Sequence, residues 1–385
     1  MVVDGRGRLQ AYGFHDPICF QTDLFEYLRD VLDGVGFEQV QTALIARDQD
    51  RAPGADRLSV AARDTNLDQM KAAGVKVIRT PLAQQWGAGS FQPSVEVVRA
   101  AWSRGIKSLL VISLTAPKYF PAGTSKRPAD PAAPSIWAAY RLQDVDPDLF
   151  AAAVAPLLQQ LDDMGVALAG VELFNEIGNP AFHGDIAISG PRGGYLIGFE
   201  DLLDPAYADV ARGYRNYIRV LAALKELRDG LTVNKLMPII SAGLNTPGDA
   251  PEGTKLNVME DEVSLKGVLT FLRANGLDDH VDQYGVHSYI LWAGNSASNI
   301  HQLNSALIMD SYAKPVAVTE WGMKVAAGCP ANDAARQTQF NLLRTEMASY
   351  GERVASLFVF DWSGSSYGIY LCGALTGSGS IALSP

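Results

Sequence analysis

The sequence predicts a one-domain α/β fold with a parallel sheet, and three observations carry that prediction. Short apolar runs alternate along the chain with stretches of helical period, an order that needs helical crossovers between parallel strands. Two of the runs stop abruptly at polar side chains. Residues 166–178 read Val-Ala-Leu-Ala-Gly-Val-Glu-Leu-Phe-Asn-Glu-Ile-Gly, and Pro315, Val316, Ala317, Val318 and Thr319 are followed by Glu320 and Trp321. In a parallel barrel such positions, where strands end and loops begin, are where catalysis is built. Finally, 385 residues with 48% hydrophobic content suffice for one large core, and no repeat of about 20–50 residues points to a solenoid or propeller.

Taken in order, residues 9–14 read as a short strand, 23–32 as an amphipathic helix and 37–46 as the first barrel strand. Residues 1–36 are then an N-terminal extension packing on the barrel, with its helix covering the gap left beside the first strand by a Gly/Ser-rich C-terminal tail. A helix over 66–73 stops at Gly74, and the second strand, 75–80, follows. Alternation puts Val75, Val77 and Arg79 on one face. The third strand, 106–114, leaves through a loop rich in proline and aromatics, and a helix over 148–164 leads to the fourth strand. The Gly-rich excursion from 177 to about 204 is long enough to be functional and is expected to wall a cleft. Helices over 207–227, 264–274, 299–311 and 334–348 alternate with strands over 236–242, 281–289, 315–319 and 354–361. Gly285, His287 and Tyr289 share one face of the sixth strand, and the eighth ends at Trp362.

Net charge is −10 and no Lys/Arg-rich run occurs, which argues against nucleic acid or an anionic membrane as partner. No apolar run is long enough to span a bilayer, and residues 1–10 lack a signal-peptide layout, although a removed signal would leave the same trace. Cys19, Cys329 and Cys372 match no zinc spacing. Cys329 follows the seventh strand and Cys372 the eighth, so their loops are neighbours on one rim; a disulfide and two buried thiols are both open readings.

Two buried strands that each deliver a carboxylate to one rim supply the machinery of glycoside hydrolysis. At these residues, "ELFNEIGNP" and "PVAVTEWGM", the chain resembles the clan A (4/7 superfamily) retaining glycoside hydrolases, nearest in character to members of families 39, 30 or 5. The resemblance implies a (β/α)8 TIM barrel, a single catalytic domain over 1–385 with elaborated βα loops. It also implies Glu176 as acid/base closing the fourth strand and Glu320 as nucleophile closing the seventh, with Arg79 near the nucleophile and Tyr289 bonded to it. The motif "NEIGNP" departs from the "NEP" of cellulase-like members, so a cellulase activity is not implied.

The residues themselves extend this reading. Glu320 has to stay ionised, helped by Arg79, while burial raises the proton affinity of Glu176. Asn175 is suited to the sugar 2-hydroxyl, His287 reaches the same rim, and Trp362 offers a face for a pyranose, with Trp321 and Trp86 as weaker candidates. Glu172, deeper on the fourth strand, is a buried charge in need of a partner and reads as structural. Neither His-x-His nor His-Glu-x-x-His occurs, so no cofactor or catalytic metal is implied. The Gly-Ser-Ser-Tyr-Gly of 364–368 lacks the helix and downstream histidine of a nucleophile elbow.

The expected function is therefore retaining hydrolysis of β-glycosides in a poly- or oligosaccharide by a secreted or periplasmic monomer. A catalytically inactive carbohydrate-binding barrel is the alternative.

Overall fold

The computed structural model describes residues 60–82, 91–129, 136, 138–189, 191–244, 251–256, 260–290, 314–325, 328–329, 331–363 and 365–384. It adds the backbone of three strands at 2–3, 9–10 and 41–44. The chain divides into two compact units, Met1–Glu38 and Gln39–Pro385. Of the first, Val2–Val3 and Leu9–Gln10 form an antiparallel pair. The helix expected over 23–32 and that over 299–311 lie outside the described residues.

In the second unit each helix starts and stops for a local reason. Helix α1 (Val60–Ala72) ends at Gly74, whose φ of +86° suits a residue without Cβ. Helix α2 (Gln92–Trp102) has a proline in its first turn. Asp146 caps α3 (Pro147–Asp163), accepting from the N–H groups of Asp148 and Leu149. Along α4 (Ala208–Asp229), Val210, Tyr214, Tyr217, Leu221 and Leu224 make a buried stripe at three- and four-residue spacing. Ser264 caps α5 (Leu265–Ala274) through Gly267 N–H at 2.7 Å. Helix α6 (Ala334–Ser349) follows the seventh strand. The tail, read as bare from sequence, instead forms α7 (Gly377–Ala382), and Arg336 of α6 ties it down through Ser378 Oγ at 2.7 Å.

The barrel strands are β1 (Gln41–Leu44), β2 (Val77–Pro81), β3 (Lys107–Ile112), β4 (Gly170–Leu173), β5 (Ile239–Ile240), β6 (Tyr284–Ile290), β7 (Val316–Met323) and β8 (Val354–Val359). Hydrogen bonding orders them β6-β7-β8-β1-β2-β3-β4-β5, all parallel. Isolated parallel bridges, Ile240 to Gln283 and Leu244 to Val286, connect the two ends of that order in place of a continuous ladder. This is the (β/α)8 arrangement expected from sequence. Two cores result: Val77, Leu109, Ile240, Ala317 and Phe358 pack together inside the ring, while a larger cluster fills the layer between strands and helices.

The 177–204 excursion is not bare loop. Leu196–Ile197 within it pairs in parallel with Glu262–Val263, and Arg127 donates to the carbonyls of Pro180 and Ile186 at 2.7 and 2.6 Å. Cys329 and Cys372 are joined as a disulfide with Cα atoms 5.7 Å apart.

Candidate active site

Strand β4 carries Glu172 into the barrel, where it is wholly buried. Just past the strand the backbone leaves extended geometry: Phe174 and Glu176 have φ of +74° and +41°. Left-handed backbone at residues with a Cβ costs about 1–3 kcal/mol each and is held only where surroundings enforce it. Here the enforcement is partly visible, since Glu176 N–H donates to Gly243 carbonyl at 2.9 Å. The effect is to turn the Glu176 side chain over the mouth of the barrel.

Glu320 arrives differently, from within β7. The pairing of β7 shifts register against both neighbours around Thr319; an extra residue in a strand re-aims the side chains beside it. Thr319 Oγ donates to Glu172 Oε1 at 2.8 Å, and Glu320 is left at the inner rim, 8% exposed.

Arg79, the last-but-two residue of β2, ties these groups together. Its guanidinium donates from Nε to Glu172 Oε2 at 2.5 Å, from Nη1 to Glu320 Oε1 and from Nη2 to Asn175 Oδ1 at 3.1 Å. Glu172 is thereby the buried counter-charge that fixes the arginine, and the structural reading of it from sequence agrees with this contact. Burial opposes the charge of Arg79, but Glu172 and then Glu320 raise its proton affinity further than burial lowers it.

From β6, the His287 ring stands between the two rim carboxylates: Nδ1 is 2.9 Å from Glu176 Oε1 and 3.5 Å from Glu320 Oε2. Gly243 makes room for it, as a Cβ there would overlap the imidazole. Burial works against the charged ring, yet Glu320 and then Glu176 hold its proton affinity above the ordinary value. Tyr289 donates its hydroxyl to Glu320 Oε2. Burial pushes Glu320 up, and His287, Arg79 and the Tyr289 hydroxyl more than reverse this, so its carboxyl lies below the usual range. One ligand atom each of Glu176, His287 and Glu320 lie within 4.8 Å of one another. That is close enough for a cation, but the donor set fits one poorly: His287 Nδ1 is spent on Glu176, and Arg79 already places a fixed positive charge on Glu320.

Six of the seven residues expected at the site, Arg79, Asn175, Glu176, His287, Tyr289 and Glu320, are thus brought together. The seventh is not. Trp362 is 1% exposed and its ring stacks on Tyr370 with centroids 5.0 Å apart, so the face expected to receive sugar is covered. Trp321, also buried, packs on Phe340, and Trp86 lies outside the described residues. The half-buried aromatics at this rim are Tyr289, Phe360 and Tyr367, whose centroids are 5.3–5.7 Å apart. Sequence reasoning missed Phe360 by one turn of logic: it, not Trp362, directly follows the last residue of β8.

No protein-family model matches the chain, and no curated protein matches it in sequence. Solved structures do match. A fungal β-1,4-galactanase aligns over 83% of this chain and 90% of its own at 15% identity and a TM-score of 0.53. A family 39 glycoside hydrolase from the gut symbiont Bacteroides cellulosilyticus WH2 gives 14% identity, a TM-score of 0.52 and coverage of 90% and 63%. An exo-β-1,4-mannosidase from Opitutaceae bacterium strain TAV5 gives 12% identity, a TM-score of 0.51 and coverage of 91% and 59%. The chain spans less than two thirds of the latter two. The fold of this protein is the (β/α)8 barrel of glycoside hydrolases such as these.

Proposed function

We propose that this protein is a retaining β-glycoside hydrolase acting on a poly- or oligosaccharide by double displacement, with Glu176 as acid/base and Glu320 as nucleophile. The observation that supports it best is the separation of the two rim carboxylates. One oxygen of each within 4.8 Å of the other is in keeping with the close spacing of retaining enzymes, about 5–5.5 Å between carboxyl groups, rather than the wider gap of inverting ones.

In the first step Glu320 attacks the anomeric carbon, and Glu176 gives its proton to the departing glycosidic oxygen. The carbon–oxygen bond breaks as the glycosyl ester forms. In the second, Glu176 takes a proton from water, whose oxygen attacks the same carbon and releases Glu320, so two inversions give net retention. Asn175, oriented by Arg79, is placed to bond the sugar 2-hydroxyl. Tyr289 and Arg79 keep Glu320 ionised and aimed.

A fluorinated glycoside with a good leaving group tests this directly. Mass spectrometry of the digested protein is expected to find the adduct on Glu320; hydrolysis with inverted configuration, or labelling of any other carboxylate, defeats the mechanism. A protein that binds the glycoside without forming an adduct is instead the inactive carbohydrate-binding barrel. Action outside the cytosol, as a monomer, belongs to the same proposal, and the Cys329–Cys372 disulfide supports the oxidising setting. Free thiols at both positions in protein isolated from its native source would remove that part.

A further inference from the structure

We propose that the buried pair His183 and Asp185 positions the acid/base: it holds the turn that carries Glu176 and so governs the steps in which Glu176 moves a proton. This deepens the proposed function and rests on Glu176 having that role.

The turn needs holding. Phe174 and Glu176 have φ of +74° and +41°, conformations that a residue with a Cβ keeps only where neighbouring groups enforce them. Ahead of the turn, Tyr217 of α4 donates its hydroxyl to the Leu173 carbonyl at 2.9 Å and accepts from Ala242 N–H at 2.8 Å. Within it, Asn179 N–H donates to the Glu176 carbonyl at 2.8 Å. The next carbonyl, that of Ile177, faces His183 Nδ1 at 2.9 Å and the Tyr214 hydroxyl at 3.3 Å. A carbonyl only accepts, so Nδ1 carries a hydrogen there.

The other ring nitrogen is also committed. His183 Nε2 lies 3.0 Å from Asp185 Oδ2, which accepts in addition from Leu142 N–H at 2.7 Å and Gln143 N–H at 3.3 Å. Asp185 is thereby fixed to the segment ahead of α3, and the imidazole cannot turn without losing a partner at one end or the other. Neither side chain has any exposed surface. His183 therefore cannot touch a sugar, and its part in the reaction is to place a group that does.

Helix α4 is shaped to admit the pair. A Cβ at Gly213 would stand 2.5 Å from Asp185 Oδ2 and 2.8 Å from His183 Nε2. Glycine inside a helix is less stable than alanine, and here the close approach of two side chains requires it. Glu320 is held by other partners, Arg79 and Tyr289. Loosening His183 therefore shifts the acid/base and leaves the nucleophile where it is.

The test measures kcat/KM on the methyl and p-nitrophenyl β-glycosides of one sugar, whichever wild type cleaves fastest among glucosides, galactosides, mannosides and xylosides. The methoxide leaving group needs a proton and the nitrophenolate does not, and the ratio of the two rates does not depend on how much of a variant is folded. His183→Leu is expected to lower the methyl-to-nitrophenyl ratio about tenfold or more, because a catalytic group displaced by about 1 Å loses much of its effect. His183→Asn, which offers an N–H in the place of Nδ1, should recover most of it. Gly213→Ala, whose methyl group crowds the pair from a helix that favours alanine, should lower the ratio in the same direction and reads the pair even if His183→Leu does not fold. A ratio that stays at the wild-type value in these variants, equal losses on both substrates, or a His183→Asn no better than His183→Leu overturns the proposal. Glu176→Gln is the control. If it lowers the ratio and the His183 and Gly213 variants do not, the positioning role alone fails; if it leaves the ratio unchanged, Glu176 is not the acid and both readings fall.

Discussion

Glu320 and Glu176 are the same residue at the ends of two parallel strands, yet they are held in opposite ways. Glu320 sits within β7 beside its bulge, nine-tenths buried, and is gripped by Arg79, Tyr289 and, at 3.5 Å, His287. Glu176 lies beyond β4 on left-handed backbone, with its side chain within 2.9 Å of His287. The difference teaches that the partners a carboxylate meets are set by where the chain stops being a strand. A carboxylate kept within the strand meets the fixed cations of its neighbours, and one carried past the end meets the cleft and its occupant. The former suits an anion that must stay ready to attack, the latter a group that gives and takes a proton.

The sharpest way to break this contrast is to neutralise each acid. Glu320→Gln should lower kcat by about 10⁴-fold or more on every substrate, whereas Glu176→Gln should lose about 10²–10⁴-fold on alkyl glycosides and far less on aryl glycosides whose phenol leaves without a proton. Steady-state rates across a series of leaving groups read it. Equal losses at both positions on the best leaving group would mean that the two residues do not divide the work as their surroundings imply.

Arg79 is the next lever, because it serves both the nucleophile and Glu172. Removing it as Arg79→Met leaves Glu172 charged and wholly buried, which should destabilise the fold by about 3–5 kcal/mol, seen as a lower denaturant midpoint. The double variant Arg79→Met/Glu172→Gln should recover much of that stability and little of the activity, since Glu320 still lacks its cation. Full recovery of turnover would show that Arg79 acts on Glu320 only by keeping the barrel intact.

A smaller effect follows from pH. The folded proton affinity of His287 is raised above its ordinary 6.5, so its contribution is fully present below that value and fades as pH rises through the raised one. The groups facing it are Glu172, Glu176 and Glu320, the Arg79 guanidinium and the Tyr289 hydroxyl. Arg79 keeps its charge throughout, so activity should decline several-fold on the alkaline side rather than vanish, and His287→Asn should remove that limb. Glu320 gives the opposite sign: its carboxyl is lowered, so its contribution is present above the ordinary range and lost as pH falls through the lowered value. An alkaline limb that survives in His287→Asn would assign it to another group.

Much of this site was legible because a polar residue ending an apolar strand has few structural reasons to exist. The two "strand then Glu" runs, and Arg79 and His287 by alternation, all rest on periods that the backbone obeys. The helix Gln92–Trp102 and the C-terminal helix Gly377–Ala382 escaped because their cues are weak locally: a proline-led start in one, and in the other a glycine-rich segment whose helicity depends on Thr376 and Arg336. The pairing of Leu196–Ile197 with Glu262–Val263 escaped because a two-residue strand carries no period. The bulge at Thr319 that aims Glu320 was equally invisible, since a register shift is a property of two strands and not of one.

Trp362 marks the boundary between what periodicity can and cannot say, and it yields the smallest expected effect on turnover. A tryptophan after a strand is equally at home under a sugar and inside a core, and sequence offers nothing to choose between them. Here the ring is shut in against Tyr370, while Phe360, two residues earlier, keeps an accessible edge beside Tyr289 and Tyr367. Trp362→Phe should therefore act through packing: a cavity the size of the lost ring, about 1–3 kcal/mol less stability, and kcat/KM within a few-fold of wild type. Thermal unfolding and kinetics on one aryl glycoside separate the outcomes. If instead KM rises steeply while the melting temperature holds, the indole reaches the substrate, and the rim of β8 opens more than its packing against Tyr370 allows.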